Sequence, residues 1–439
     1  MSRFLLSTMP AVGHVHPFLP VAAELVARGH GVVWHSGPAF CSLIEATGAQ
    51  FAAAEATPDF DRIPVEPDAG TAGMGAAISV IRRLFVDRVA GQVADYRRIL
   101  NTFAADVLVA DMCAFGAATL HDLGGPPYAT IGINPLFTQD PEIPPFGSRR
   151  GPATSVLGLA RNRISHDLAH RLVLARVLAA HDVERVRLGL PALPPGTRST
   201  DLQHSPFLHL MPTTQSFEFP RRRLSPTVHY IGPLLPKGGG GERPAWWSDL
   251  AHRPVVHVTQ GTVATDGRGL IRPTLDALAT EDVLVVATTP EPESLGAIPG
   301  NARVARYIAH AELLPHVDIL VTNGGYNGVL ASLAHGVPLI CAGDSEDKPE
   351  VAARVAWAGA GIDLRTGRPS ARQVGDAVRT VLTDPAYRSA ARRIAADFAR
   401  HDPPREAADL LERLAARGSP VPRTLPGGEA LPDRASEPR

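Results

Sequence analysis

Short aliphatic runs alternate with amphipathic stretches along this chain, and the alternation stops once and then begins afresh. In the first half, residues 4–7 read as a strand, a Pro/Gly loop follows, and 18–27 carry helical periodicity until Arg28-Gly29-His30-Gly31 ends it. Residues 32–35, 107–111 and 128–133 read as further buried strands, with helices at 78–100 and 166–186. After Gly232-Pro233 and the glycine run 238–241, strands recur at 255–259, 283–288, 303–308, 319–322 and 339–342. Helices lie between and after them, near 269–279, 327–335, 349–358 and 371–382. Strands that alternate with helices build parallel sheets with crossover helices, so the expected class is α/β, with two doubly wound halves facing a cleft. The predicted units are 1–232, a linker at 233–250, 251–400, a helix at 401–417 free to cross back to the first unit, and a disordered tail at 418–439.

Composition removes several function classes. Lys+Arg 43 against Asp+Glu 44 leaves a net charge of −1, without the basic excess of a nucleic-acid binder. Apolar runs stop well short of about 18 residues, so no membrane insertion is expected. Cys41, Cys113 and Cys341 are odd in number and far apart. That excludes a disulfide framework and fits a reducing cytoplasm. With 5% aromatic residues, the core must rest on Ala, Val, Leu and Ile.

In doubly wound sheets, ligands bind beyond the carboxyl ends of the strands, so the loops there hold the candidate chemistry. The first is Gly13-His14-Val15-His16-Pro17. His14 fits a general base near neutral pH, or a histidine that merely completes the loop. Asp111 ends a Val-Leu-Val-Ala run and fits either a carboxylate that orients an imidazole or a helix cap. In the second half, Thr322-Asn323-Gly324-Gly325-Tyr326-Asn327-Gly328 joins a strand to a helix whose free N–H groups suit a phosphate. No Gly-Lys-Ser/Thr follows, so it is not a Walker loop. Thr259-Gln260-Gly261-Thr262 is a second small loop with hydroxyl and amide donors. Asp59-Phe60-Asp61 has the spacing of a metal-nucleotide motif but lies in a Pro-rich stretch with no strand before it. No metal site is assigned.

Taken in order, these loops resemble the nucleotide-sugar-dependent, inverting glycosyltransferases of the GT-B fold, of the UDP-glycosyltransferase and macrolide glycosyltransferase type. The resemblance spans about residues 1–416. Its markers are Gly13–Pro17, Ile231-Gly232-Pro233, and a second-half motif. That motif runs from Arg306-Tyr307-Ile308 through Leu313-Leu314, Asn323-Gly324-Gly325, Gly336-Val337-Pro338 and Asp347-Lys348. The resemblance implies that His14 deprotonates an acceptor hydroxyl while Asp111 orients it. It implies that Thr262, Asn323, Gly324, Gly325 and Asn327 meet the diphosphate, Tyr307 stacks on the base beside Ile308, and Asp347 with Lys348 holds the sugar. It implies a UDP- or dTDP-sugar co-substrate, no further cofactor, and a hydrophobic hydroxylated acceptor such as a polyketide, macrolide or flavonoid. A homodimer is one assembly it allows. Candidate acceptor walls are Phe85, Met112, Phe115 and Phe137. Three positions depart from the family pattern. Asn323 replaces a histidine, Ala331 an acidic residue expected on the ribose, and Lys348 a glutamine. Two other readings use the same scaffold: a nucleotide-sugar epimerase or hydrolase, and a non-catalytic helper.

Overall fold

The computed structural model describes residues 1–58, 74–236, 243–261 and 267–423. The first sheet holds β1 (Arg3–Ser7), β2 (Gly31–Ser36), β3 (Gln50–Ala53), β4 (Val107–Asp111), β5 (Tyr128–Ile131), β6 (Leu208–Met211) and β7 (Val228–Tyr230). The second holds β8 (Val255–Thr259), β9 (Leu284–Thr288), β10 (Ala302–Ala305), β11 (Ile319–Thr322), β12 (Leu339–Cys341) and β13 (Gly361–Asp363). Every pairing is parallel, and the orders are β3-β2-β1-β4-β5-β6-β7 and β10-β9-β8-β11-β12-β13. Both sheets therefore reverse direction between their first and fourth strands, at β1/β4 and at β8/β11. Loops that leave adjacent strands toward opposite faces open a crevice there, so the topology sets where ligands can enter.

The strands are short, and the central ones are buried on both faces. β4 and β5 are buried along their whole length, as expected of central strands covered by helices. Four strands escape a reading of the sequence: β3, β6, β7 and β13. Each has three or four residues, too few for a periodicity, and takes its register from a neighbour. Segment 303–308 leaves the sheet after Ala305, and Tyr307 turns into solvent at 77% exposure. The helix Pro385–Phe398 is a further addition. Its start is marked by Asp384, whose side chain accepts from the Ala386 amide, and by Pro385 at the first position.

The last helix, Pro403–Arg417, packs against Phe18–Ala27 of the first unit. Ala407, Ala408, Leu411 and Leu414 enter the first core with Phe18, Val21 and Leu25. Each fully buried leucine contributes roughly 1.5–3 kcal/mol. Arg28 pins the crossing to Asp409 at 2.6 Å and Glu412 at 3.1 Å. Order does not stop at Gly418, where the sequence suggests a disordered tail. Val421 is buried, its amide donates to the Phe207 carbonyl, and its own carbonyl faces His229 Nε2. A carbonyl before β6 and a side chain on β7 supply partners that composition does not reveal.

The two units share apolar packing. Leu136, Met211, Phe217 and Val228 of the first belong to one buried cluster with Leu284, Leu314, Tyr326 and Val351 of the second.

Candidate active site

β1 and β4 run side by side, with Ser7 opposite Ala110. The loop after β1 and the carboxyl end of β4 therefore meet. The four-residue helix Val12–Val15 carries His14, whose Nδ1 lies 3.3 Å from Asp111 Oδ2. Asp111 is fully buried, and His14 keeps 16% exposure. Two backbone amides hold the carboxylate: Met9 donates to Oδ2 at 2.5 Å and Cys113 to Oδ1 at 2.7 Å. A buried carboxylate fixed in this way orients an imidazole and stabilises its cation. The helix-cap alternative for Asp111 does not apply to the helix Gly116–Asp122, whose cap position is Phe115.

Asp347 approaches the same histidine from the second unit. Burial pushes its carboxyl up to about 6, against the pull of Lys348 and of His14. With its amide turned to satisfy its neighbours, Asn134 donates to Asp347 Oδ2 at 3.1 Å and to the Ile133 carbonyl at 3.0 Å. Asn134 follows β5 and carries no motif, so nothing in the sequence marks it. Lys348, 8% exposed, bonds the Glu346 carboxylate.

His14, Asp111 and Cys113 offer ligand atoms within 4.8 Å of one another. Burial and the Asp111 charge push the Cys113 thiol well up. Asp59 and Asp61 lie outside the described residues, as does Thr262.

On the second sheet, Thr259 of β8 lies opposite Thr322 of β11, and the loops beyond them form the other half of the crevice. Asn323 ties these loops together. Its Nδ2 donates to the Gln260 carbonyl, and its Oδ1 accepts from the Gly325 amide at 3.3 Å. The side chain that stands where the family carries histidine is thus largely spent within the protein. Gly324 sits at φ +88°, and a Cβ on Gly343 would fall 2.0 Å from the Asn323 carbonyl oxygen. Only glycine fits at both positions. The helix Tyr326–Ala334 then starts just beyond β11 with no side-chain cap, and a helix amino end of this kind has N–H groups that suit an anion. In its first turn, Asn327 Nδ2 donates to the Gly13 carbonyl of the first unit at 3.0 Å. Ile308 is buried at the foot of the exposed Tyr307.

The four proposed acceptor-wall residues divide. Phe85 and Phe137 pack, half-buried, against a cluster of Met9, Met112, Cys113 and Ile133, and Asp111 sits beside Met112 and Cys113 in the chain. Phe137 also meets the exposed ring of Phe146 edge-on at 4.6 Å. Phe115 belongs to a neighbouring core with Val86, Val89, Val177 and Leu178, against which Phe85 also packs, and 5% of it is exposed.

Residues 272–414 match the family described as Erythromycin biosynthesis protein CIII-like, C-terminal domain. A 4'-demethylrebeccamycin synthase of Lentzea aerocolonigenes is 43% identical over 419 residues, covering 94% of this chain and 99% of the relative. The chain belongs to the natural-product glycosyltransferases. UDP-glycosyltransferase 2 of Phaeomoniella chlamydospora is 32% identical, covering 94% of this glycosyltransferase and 95% of its own length. Among solved structures, the calicheamicin glycosyltransferase CalG4 is 22% identical with a TM-score of 0.74, covering 95% of this chain and 99% of its own. A spinosyn rhamnosyltransferase complexed with thymidine diphosphate is 23% identical with a TM-score of 0.65, covering 94% and 100%. These two likenesses show the GT-B fold, two Rossmann-like units about a cleft.

The glycosyltransferase also holds a serine–histidine–aspartate set away from His14 and Asp111. Ser7 Oγ lies 3.0 Å from His35 Nδ1, and His35 Nε2 lies 3.3 Å from Asp95 Oδ2. All three side chains are buried. Ser7 Oγ bonds the Tyr96 hydroxyl, and Asp95 collects the amides of Glu55, Ala56 and Thr57. The set anchors a loop inside the core and offers no face to a substrate. Among the described residues, no helix is long and apolar enough to cross a membrane.

Proposed function

We propose that this enzyme transfers a sugar from a UDP- or dTDP-sugar to a hydroxyl of an apolar small molecule, with inversion and with His14 as general base. The observation that carries the proposal is the His14–Asp111 pair and its two connections. Asp111 precedes Met112, which packs with Phe85 and Phe137, and the residue before His14 accepts from Asn327 in the first turn of the helix Tyr326–Ala334. His14 turns Nδ1 to Asp111, and Nε2 is the atom assigned to take the acceptor proton. The acceptor oxygen attacks the anomeric carbon as the bond to the diphosphate breaks, through an oxocarbenium-like transition state. Asp111 stabilises the imidazolium, and the N–H groups of the helix Tyr326–Ala334 take up charge on the leaving diphosphate. Because helix N–H groups are assigned that stabilisation, no metal ion is assigned to the reaction, and EDTA should leave the rate unchanged. Loss of activity on chelation would overturn that part.

Ala331 bears on the nucleotide. A small, 7% exposed side chain stands where the family's ribose-binding acid belongs, so a 2'-hydroxyl finds no carboxylate there. This supports dTDP-sugars as donors alongside UDP-sugars. Strong preference for UDP-glucose over dTDP-glucose in turnover would overturn it.

The decisive experiment mixes the protein with each donor and a panel of apolar acceptors bearing O–H or N–H groups. Because the relative at 43% identity is named for making 4'-demethylrebeccamycin, acceptors of that chemistry head the panel. A glycosylated mass shift that disappears in His14→Ala supports the proposal. An undiminished shift removes His14 as base. Donor turnover without any acceptor would favour the epimerase or hydrolase reading.

A further inference from the structure

Arg354 is among the largest side chains fully buried in the molecule, and it crosses between the two units. It lies on the helix Lys348–Trp357, two turns beyond Asp347. Its Nε donates to Glu218 Oε2 of the first unit at 3.1 Å, and one terminal nitrogen reaches the Leu136 carbonyl at 3.4 Å. The other donates to Glu350 on its own helix. Glu218 in turn accepts from the Leu136 amide at 3.1 Å and from Arg221 at 3.0 Å, and Glu350 accepts from the Gly147 amide at 2.7 Å. Arg354 also lies over the Phe219 ring at 4.3 Å. The side chains of Glu218 and Arg354 are 1% and 2% exposed.

The network grips one short segment from both ends. Residues 133–137 contribute Ile133 and Phe137 to the wall beside Asp111, Asn134 to Asp347, and both backbone groups of Leu136 to the Glu218–Arg354 pair. The helix gripped from the other side is the one that Asp347 precedes as its cap residue. A planar guanidinium fixed by a carboxylate and a carbonyl holds orientation as well as distance.

We propose that Arg354 is a positioning residue, setting the register between the acceptor-side segment 133–137 and the sugar-side Asp347 through Glu218 and Leu136. This rests on the sugar-transfer reading for its consequence in catalysis, but not for the coupling itself. With the register loosened, water competes better with the acceptor. Water oxygen then attacks the anomeric carbon, the carbon–oxygen bond to the diphosphate breaks, and the water proton passes to His14. The products are free sugar and nucleoside diphosphate. A misplacement near 1 Å costs about 10²-fold in rate.

The test compares wild type, Arg354→Lys, Arg354→Gln, Glu218→Gln, the Glu218→Gln/Arg354→Gln double variant, and Val381→Ala. The last is a destabilising control in a separate core of the second unit. UDP and dTDP serve as probes in amide hydrogen exchange. In wild type, nucleotide binding should protect residues 133–137. Arg354→Lys should lose most of that transmitted protection while binding nucleotide with unchanged Kd, and Val381→Ala should keep it. In turnover, the Arg354 variants should lose kcat and gain hydrolysis relative to transfer, and the double variant should be no worse than Arg354→Gln. Absent protection in wild type, or protection and partition in Arg354→Lys matching Val381→Ala, would overturn the proposal. A wild-type enzyme that transmits protection but transfers no sugar would support the coupling and fault the functional reading instead.

Discussion

Asn327 of the second unit donates its side-chain amide to the carbonyl of Gly13, the residue before His14, at 3.0 Å. The helix proposed to meet the diphosphate is thereby tied to the loop that carries His14, the proposed base. A hydrogen bond of this kind contributes about 0.5–1.5 kcal/mol. Asn327→Ala should therefore lower kcat/KM by about two- to tenfold with little change in Tm, because neither core depends on it. Steady-state kinetics beside a melting curve would check this, and a large Tm loss would contradict it.

His14→Ala should reduce the chemical step by about 10²–10⁴ and leave nucleotide affinity nearly intact, since His14 and the Asn323–Asn327 loop belong to different sheets. Single-turnover rates and calorimetric nucleotide Kd separate the two effects. A near-normal rate would remove the base assignment.

Asp347 should make donor use and stability respond to pH in opposite directions. Its carboxyl is raised to about 6, so the carboxylate proposed to accept from sugar hydroxyls is lost as pH falls through that value, and donor KM should rise there. The folded state binds the proton more tightly than the unfolded state. The group therefore costs stability progressively as pH rises from the unfolded value near 4 to about 6. Asp347→Asn should raise Tm at pH 8, by about 1–3 kcal/mol in stability, while impairing transfer. Unchanged or lower Tm at pH 8 would show that the carboxylate is not strained there.

Asp95 has the opposite sign. Burial works against its ionisation, but His35 and the amides of residues 55–57 hold it well below the ordinary carboxylate range. Its contribution is present above the unfolded value near 4 and is lost as pH falls below it. Asp95→Asn should cost about 3–5 kcal/mol at neutral pH and flatten the acid limb of the stability profile. Denaturant melts between pH 3 and pH 7 would show it.

Phe137→Ala and Phe115→Ala should fail differently. Phe137 is half-buried beside Asp111, so its loss should raise acceptor KM with little effect on donor KM. Phe115 is core, and its loss should cost about 3–5 kcal/mol. Equal acceptor KM values for Phe137→Ala and wild type would place the acceptor elsewhere.

Much of the site was legible because its parts are local. Gly13-His14 and Asn323-Gly324-Gly325 sit where a strand gives way to a helix, and both strand and helix announce themselves over a few residues. The split between Phe115 and Phe137 was not legible. Both are apolar residues soon after a strand, and only the packing of the helices near Val86 and Val177 puts one in the core. Likewise Asn323 looked like a ligand donor from its motif, but the Gln260 carbonyl that claims its amide is 63 residues away.

The sequence alone determined the α/β class, the two-unit layout and the strand-end loops, because periodicity and glycine placement act within a few residues. Which side chains meet was a tertiary decision. The adjacency of β1 and β4 brings His14 to Asp111, and the buried contact of Arg354 with Glu218 joins residues 136 positions apart. Such contacts depend on the order of strands and the docking of two units, set by the summed packing of both cores and by no local pattern.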